Sequence, residues 1–396
     1  MHQASDGMLA RVRLPGGQLS GAQLAALTEH AANLGDGVLY LTSRANIQLR
    51  GMPACTRTLG AKLRAVGLQP SSAHERVRNY LASPASGYFG GHVDVRRMVR
   101  ALDEAVCARP HLAQLSGRFL FALDDGRGDV VDAGADVCWQ ALPPEGSDQP
   151  GRLVLAGVDS GLRVDSVHAV PVLVRCAEEF AALRAETGCD AWRVRDIPNA
   201  PESLLRAVRT AWTTRQAAPE PLGRAEQLPL GVSAQGNGKV SVCAAPPLGE
   251  LSTAQARLIV NEATEFVVTP WRTVLVPDIA ACEAERVADA LAGANLAVDP
   301  DGSAQGVSAC IGMPACAKAH ADVRGQARAM LERLPADTVA HLAGCERRCG
   351  KPAQSHSDVV ALPDGYRVDG AWVPTAALAD TLASQGMIHT VAKGLE

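Results

Sequence analysis

Four cysteines near the C-terminus constrain the fold of this chain more than any other feature. They form two closely spaced pairs, Cys310-x5-Cys316 and Cys345-x3-Cys349, with a segment of about one helix length between them. Gly312 and Pro314 lie within the first pair, and Gly344 and Gly350 flank the second, which lets each loop turn sharply. Iron-sulfur clusters are held by four cysteine thiolates brought to one point. The spacing therefore predicts an iron-sulfur cluster, and a fold in which the two pairs meet.

Two other uses of these cysteines remain as alternatives. Zinc sites usually have shorter gaps between paired ligands, so the gap in the first pair counts against zinc without excluding it. Buried structural cysteines are the second alternative. Disulfides are disfavoured, because the chain has 11 cysteines, an odd number, and residues 1–30 show no basic-then-apolar leader.

Composition sets the class of protein. The chain has 396 residues, of which 47% are hydrophobic and 20% charged, which is ordinary for a globular protein of two or three domains. Its net charge is −4 and only 4% of its residues are aromatic, so a nucleic-acid surface of basic and aromatic side chains is excluded. No apolar run approaches the ~18 residues that span a membrane. The protein is predicted to be cytoplasmic, because thiols and a labile cluster survive in that reducing compartment.

The chain also repeats itself. Residues 17–27 resemble residues 249–259, and in each copy a serine, Ser20 or Ser252, precedes a pattern of apolar residues with helical spacing. Each serine is predicted to cap the helix that follows. Residues 38–49 parallel residues 266–276, and both segments predict two short strands joined by a turn that starts with threonine.

The repeat extends into the region of the cysteines. When Ala82–Pro84 is aligned with Gly312–Pro314, Cys310 and Cys316 lie opposite Tyr80 and Ser86. When residues 120–136 are aligned with residues 342–358, Cys345 and Cys349 lie opposite Leu123 and Arg127. Only the second half can then hold a cluster. Diverged halves predict an active site between them, and a duplicated scaffold without a shared site is the alternative.

Four motifs together carry a family resemblance: Thr42–Gln48, Arg78–Pro84, Cys310–Cys316 and Gly344–Cys349. With the duplication, they make the chain resemble the sulfite and nitrite reductase superfamily over nearly its whole length. Within that superfamily it resembles the precorrin-3B synthase family of aerobic cobalamin synthesis. The resemblance implies an α+β, internally duplicated fold, with paired ferredoxin-like half domains and two α/β domains related by a pseudo-two-fold axis.

The predicted boundaries follow the repeat and a proline-rich stretch. They are a first ferredoxin-like half domain at 1–70, a first α/β domain on the substrate side at 71–212, a linker at 213–230, a second half domain at 231–300, and a second α/β domain with the cluster at 301–396.

The resemblance also implies site residues. A 4Fe-4S cluster is expected on Cys310, Cys316, Cys345 and Cys349, and Arg44, Arg78 and Arg118 are expected to bind substrate carboxylates. The arginine fork suits bidentate binding of carboxylates. Arg44 as a strand-end residue and Arg78 as a surface charge are the structural alternatives. No catalytic residue is identified.

One departure from the reductases bears on the activity. Reductases of this superfamily carry a Lys-x-Lys pair that reaches the small oxyanion, and the corresponding run here is Leu115–Leu120, with leucine at the second lysine position. The loss of that cation disfavours sulfite reduction. The resemblance then implies an oxygen-dependent monooxygenase that converts precorrin-3A to precorrin-3B by hydroxylation and lactone formation.

The implied partners are precorrin-3A, dioxygen and an electron donor, either a reduced pyridine nucleotide acting through a reductase or a ferredoxin. The implied cofactors are the 4Fe-4S cluster and a mononuclear non-haem iron without assigned ligands. Two other functions stay open: sirohaem-dependent reduction of sulfite or nitrite, and a non-enzymatic cluster protein that carries electrons or senses redox state.

Overall fold

Two of the β-sheets contain strands from both halves of the chain. The computed structural model describes residues 2–53, 57–212, 215–223, 227–300, 306–352 and 355–384. The strands of the first half are β1 (His2–Ala4), β2 (Gly7–Val12), β3 (Gln18–Ser20), β4 (Val38–Leu41), β5 (Ile47–Met52), β6 (Tyr80–Ala82), β7 (Phe121–Asp124), β8 (Val137–Ala141), β9 (Pro150–Leu155), β10 (Val158–Asp165) and β11 (Arg215–Gln216).

The strands of the second half repeat much of this order. They are β12 (Gly231–Ala234), β13 (Lys239–Ala244), β14 (Glu250–Ser252), β15 (Glu265–Val268), β16 (Val274–Ala280), β17 (Val307–Ala309), β18 (Ala340–Ala343), β19 (Ser357–Leu362), β20 (Gly365–Val368) and β21 (Ala371–Val373).

Each half gives one short strand to the sheet of the other half. The first sheet has the order β1-β2-β5-β4-β14, and its counterpart has the order β12-β13-β16-β15-β3. In the first, Glu250 of β14 pairs with Tyr40 of β4, and in the second, Ser20 of β3 pairs with Glu265 of β15. Both sheets and their helices bury one continuous hydrophobic core. This exchange holds the two half domains together.

The other two sheets follow one plan. Strands β6, β7 and β8 are parallel, and the sheet continues through antiparallel β9, β10 and β11. Strands β17, β18 and β19 are likewise parallel, and antiparallel β20 and β21 follow. The predicted α+β duplication is confirmed by these paired arrangements.

The helices are α1 (Gly21–Leu34), α2 (Arg57–Ala65), α3 (Arg96–Cys107), α4 (Ser166–Thr187), α5 (Ala200–Ala211), α6 (Thr253–Glu262), α7 (Ala284–Gly293) and α8 (Val323–Met330). Ser20 Oγ accepts from the Gln23 amide at the start of α1, and Ser252 Oγ accepts from the Gln255 amide at the start of α6, both at 3.2 Å. The side-chain oxygen of each glutamine accepts a hydrogen bond from the backbone amide of its serine. Both predicted caps are therefore confirmed as capping boxes. Within the described ranges, no helix is both long and apolar enough to span a bilayer.

The threonine-led turns are also confirmed. In the first, the Thr42 amide donates to Asn46 O, and in the second, the Thr269 amide donates to Thr273 O, both at 3.0 Å. The residue before the end of each turn, Ala45 or Arg272, has a positive φ, at 53° and 62°. The two turns are therefore equivalent residue by residue, with a shift of 227 between Thr42 and Thr269.

Strand pairing corrects the alignment around the cysteines. Ala82 of β6 pairs with Leu123 of β7, and Ala309 of β17 pairs with Leu342 of β18. Cys310 is thus the counterpart of Ser83, which is the next residue after β6, and the predicted match of Cys310 to Tyr80 is wrong. The error arose because matching prolines in two loops fixed the alignment, whereas the register is set by the strands.

The same correction applies to the second cysteine pair. With Leu123 opposite Leu342, the shift is 219 rather than 222, and Cys345 lies opposite Gly126 instead of Leu123. Two hydrogen bonds support this register. The Gly344 amide donates to Cys310 Sγ at 3.0 Å, and the Asp125 amide donates to Ser83 Oγ at 3.0 Å.

Candidate cluster site and active-site cavity

The four cysteines lie at the ends of two adjacent strands. Cys310 directly follows β17, and Cys345 lies two residues beyond the end of β18. Because β17 and β18 are parallel, their carboxyl ends meet at one edge of the sheet. Cys316 and Cys349 follow in the two loops that leave this edge. The structure therefore brings the predicted ligand loops to one place, with Cys349 exposed and the other three partly buried.

Cys345 and Cys349 are close enough to Cys310 to influence its thiol electrostatically. Burial is the largest effect that raises the pKa of Cys310, and the charges of Cys349 and Cys345 raise it further. The amide hydrogens of Gly344 and Gly312 oppose this rise by donating toward the sulfur. Neighbouring cysteine sulfurs, one of which receives backbone hydrogen bonds, are a donor set that fits an iron-sulfur cluster.

Glycines make the loop crossing at Cys310 possible. A Cβ on Gly344 would lie 2.7 Å from Ala319 Cβ, and one on Gly312 would lie 2.8 Å from Val323 Cγ2. Gly312 also has a φ of +65°, which side-chain-bearing residues rarely adopt. A larger residue at either position would displace the loops that carry the cysteines.

The Cys349 loop is anchored from two sides. Buried His341 lies with Nε2 3.2 Å from Cys349 O and with Nδ1 2.9 Å from Ser308 Oγ. Arg272, from the turn between β15 and β16, donates through Nη2 to Gly350 O at 3.2 Å. The loop is thereby linked both to its own sheet and to the neighbouring half domain.

A cavity of about 840 Å³ lies between the two halves and reaches this loop. Gly350, Lys351 and Pro352, which follow Cys349, form part of its wall. Its other charged or polar lining residues come from both halves, and they include Ser43, Arg44, Asp129, Asp132, Arg193, Arg272, Arg328 and Glu332. The volume falls within the range of small-molecule and cofactor sites. The predicted position of the active site between the halves is therefore matched by a cavity of suitable size.

Two arginines of this wall are kept charged despite burial. Burial lowers the pKa of Arg44, and the nearby charge of Arg193 lowers it further, while Asp136 raises it. Burial also lowers the pKa of Arg272, together with the charge of Arg324. Guanidinium groups stay protonated at any physiological pH, so both remain cations with reduced hydration. An anionic ligand in the cavity would restore part of the lost solvation.

The wall positions of Arg44 and Arg272 follow from the two equivalent turns. Thr42 Oγ1 accepts from the amides of Arg44 and Asn46, and Thr269 Oγ1 accepts from the amides of Trp271 and Thr273. These bonds fix the turn, and Arg44 also donates through Nη1 to Gly117 O at 3.3 Å. Arg44 is the one predicted arginine that the structure brings to the cavity wall.

Arg78 and Arg118 lie elsewhere. The Arg78 side chain is 2% exposed and binds Asp103 with two hydrogen bonds of 2.7 Å, and it also donates to Leu68 O. It borders a separate cavity of about 480 Å³. Arg118 is exposed, with its guanidinium 4.1 Å from the centre of the Trp192 ring.

Several wall residues were missed by sequence reasoning. Arg272 could have been found, because it falls in the turn that parallels the Thr42 motif. Lys351 follows the last cysteine, and its ammonium lies 3.7 Å from Asp358. Asp129 and Arg193 carry no recognisable motif, and only the fold places them in the cavity.

Comparisons with known proteins agree with this architecture. Residues 2–55 match the nitrite/sulfite reductase ferredoxin-like half domain family. The chain is 26% identical to a precorrin-3B synthase of a Sinorhizobium species over 92% of its own length and 79% of that protein. It is 24% identical to a ferredoxin–nitrite reductase of Synechococcus elongatus over 92% of its own length and 78% of that protein.

A solved structure gives the same fold. The NirA protein of Mycobacterium tuberculosis superimposes with a TM-score of 0.75 at 18% identity, over 95% of this chain and 79% of that one. The chain therefore shares the duplicated fold of NirA, and its first residues resemble the ferredoxin-like half domain of nitrite and sulfite reductases, as the sequence motifs predicted. The chain also resembles a precorrin-3B synthase over nearly its whole length, which confirms the narrower resemblance.

Proposed function

We propose that this protein is an oxygen-dependent monooxygenase that converts precorrin-3A to precorrin-3B by hydroxylation and lactone formation. The observation that carries the proposal is the similarity to a precorrin-3B synthase across 92% of the chain. Both relatives, the precorrin-3B synthase and the ferredoxin–nitrite reductase, are named as enzymes, which supports oxidoreductase activity. A non-enzymatic electron carrier would have no use for a cavity of this size between its halves.

The chemistry of the cavity wall favours the oxygenase over the reductase. Leu120, which stands where the reductases of the superfamily carry the second lysine of their pair, lines the cavity and is 3% exposed. A sulfite or nitrite site gains binding energy and proton supply from such a cation. Sirohaem-dependent reduction remains the second candidate, because a ferredoxin–nitrite reductase matches over the same share of the chain.

Cys310, Cys316, Cys345 and Cys349 are the proposed ligands of a 4Fe-4S cluster, which would supply electrons one at a time. Their donor set and their position at one sheet edge support this assignment. The mononuclear iron remains a prediction without ligands. A ferredoxin, or a reduced pyridine nucleotide acting through a reductase, is the proposed source of electrons, and the cytoplasm is the proposed location.

Arg44, Arg272 and Lys351 are the proposed contacts for the peripheral carboxylates of the tetrapyrrole. All three line the cavity, and they approach it from different elements. Cations placed around a cavity can fix the orientation of a polycarboxylate, which brings the reacting carbon to one position. Neither Arg78 nor Arg118 lies in this wall. Their roles in substrate binding stay predictions from the family motifs.

The proposal is tested first by the cofactor content of anaerobically purified protein. A broad charge-transfer shoulder, about four irons per chain with matching acid-labile sulfide, and no macrocycle bands would support it. Sharp porphyrinoid bands would instead favour the sirohaem reductase. Cys345→Ser should abolish the cluster, and Cys282→Ser is the matched control, because Cys282 is a free and exposed cysteine far from the four ligands in sequence. Full iron and sulfide in the Cys345 variant would overturn the ligand assignment.

A further inference from the structure

The first half carries an acidic group where the second half carries its cluster loop. Ser83 is the structural counterpart of Cys310, and its hydroxyl accepts from the Asp125 amide just as Cys310 Sγ accepts from the Gly344 amide. The Ser83 hydroxyl donates its own hydrogen to Asp129 Oδ1 at 2.6 Å. The loop equivalent to the cysteine loop therefore presents a carboxyl group.

Asp129 differs from the two carboxylates beside it. Asp124 is fully satisfied, because its oxygens accept from four backbone amides and from Gln140. Asp125 is paired with Arg127 through two hydrogen bonds. Among the residues that the structure describes, none donates a hydrogen bond to Asp129 Oδ2. The trio is thus not a free set of metal ligands, and only Asp129 has an oxygen available.

Asp129 is both buried and part of the cavity wall. Its side chain is 1% exposed, and it lines the same cavity as Arg44 and Leu120. In the described part of the chain, the closest positive group is Arg127, whose Nε lies 3.7 Å from Oδ2 and also donates to Asp125. The part of the wall that the second half contributes carries Arg272 and Arg328 but also Glu332.

These surroundings favour the protonated carboxyl. Burial is the main cause that raises the pKa of Asp129 to about 7, and the charge of Asp124 adds to the rise. The Ser83 hydroxyl and Arg127 oppose it, and Asp125 adds a smaller rise. A carboxyl with a pKa near neutrality can hold and release a proton at physiological pH, which is the property of an acid-base group.

We infer that Asp129 delivers a proton into the cavity during turnover, an inference that rests on the proposed function. In a monooxygenation, one oxygen atom of dioxygen is added to the substrate, and the other is reduced by two electrons from the external donor and leaves as water with two protons. Asp129 supplies one of these protons from its carboxyl and is reprotonated from solvent. Leu120, which stands at the position of the second lysine of the reductases, has no proton to give.

The test uses the holoprotein and the variants Asp129→Asn and Asp132→Asn. Asp132 is the matched control, because it is an exposed carboxylate of the same wall. Difference infrared spectra of the resting protein should show a protonated carboxyl band that titrates near pH 7 in the wild type. The band should be lost in Asp129→Asn and kept in Asp132→Asn. A band that persists in Asp129→Asn would overturn the inference.

Kinetics supply the second readout. The wild-type kcat should fall as the pH rises through the titration of the acid, and Asp132→Asn should keep this basic limb. Asp129→Asn should lower kcat about 100-fold and lose the limb, with the Kd for precorrin-3A within about twofold of the wild type. An Asp129 variant with the wild-type limb would refute the inference.

A failure of the proposed function can be told apart from a failure of this inference. If the protein reduces sulfite or nitrite and leaves precorrin-3A unchanged, the same pH comparison applies to that reaction, because it also consumes protons. The infrared band does not depend on turnover, so its absence counts against Asp129 whatever the substrate is.

Discussion

The Arg78–Asp103 pair gives the sharpest contrast between a structural and a substrate-binding role. Arg78 is 2% exposed and Asp103 is 14% exposed, and two 2.7 Å hydrogen bonds join them. Replacing Arg78 with alanine would leave the Asp103 carboxylate partly buried without its counter-ion. Breaking such a pair typically costs about 3–5 kcal/mol. We expect the low end, about 3 kcal/mol, because Asp103 retains some exposure to water.

The assay is chemical unfolding followed by circular dichroism, with iron content and precorrin-3A affinity measured on the folded protein. Arg215→Ala is the matched control, since Arg215 forms an equally regular two-bond pair with Glu145 that is more than half exposed. This control should leave the unfolding midpoint unchanged. Arg78→Ala should lower the midpoint, while the affinity of the folded fraction stays within about twofold.

The opposite pattern would refute this reasoning. If Arg78→Ala unfolds like the wild type but binds precorrin-3A more than about tenfold more weakly, Arg78 binds substrate as the family motif predicts. The pair with Asp103 would then be a resting arrangement that opens when the substrate enters.

The other predictions concern the cavity and the helix ends. Arg44→Gln should weaken precorrin-3A binding about tenfold to 100-fold, because a charge-assisted hydrogen bond is worth about 1.5–3 kcal/mol. Arg11→Gln is the control, since Arg11 is exposed. Equal binding curves for the two variants would exclude Arg44 from the site. Asp129 has its pKa raised from 3.8 to about 7, so the folded state binds more protons than the unfolded state in that interval and stability falls as the pH rises through it. Relative to the wild type, Asp129→Asn should therefore gain up to about 4 kcal/mol between pH ~4 and ~8 in urea unfolding, and a constant difference would contradict the raised pKa. Ser20→Ala and Ser252→Ala should each cost about 1 kcal/mol of unfolding free energy, and unequal costs would show that the two capping boxes are not equivalent.

Local features of the fold, such as helix caps and tight turns, could be predicted from the sequence. Ser20 and Ser252 were recognisable as caps, because a serine before an apolar helical pattern satisfies amides only a few residues away. The turns at Thr42 and Thr269 were recognisable for the same reason. The cysteine pairs identified the second half as the half that could hold a cluster, since thiolates at such spacing have few other uses.

Features of the fold that depend on contacts between distant parts of the chain could not be predicted from the sequence. The exchange of β3 and β14 depends on three-residue strands that pair with the other half of the chain, and so few residues carry no distinctive pattern. The register at Cys310 was wrong, because loop prolines were aligned in place of strand pairs. The burial of Arg78 could not be inferred, since its partner Asp103 lies 25 residues away on α3.

The cavity shows the same limit. Arg44 was predicted through a motif, but Asp129 became a candidate only when the fold placed it beside Ser83 and in the wall that contains Leu120. Its raised pKa is produced by burial and by Asp124, and neither effect is visible before the chain is folded. Protonation of this kind is a property of tertiary structure rather than of residue type.

Turnover under isotopically labelled dioxygen would show whether this protein oxygenates precorrin-3A. Anaerobically purified protein would be mixed with precorrin-3A, a reducing electron donor and the labelled gas, and the product would be analysed by mass spectrometry. We expect a product that is heavier than precorrin-3A by one labelled oxygen atom. Unchanged precorrin-3A, from protein that shows macrocycle bands and reduces sulfite or nitrite, would contradict this expectation.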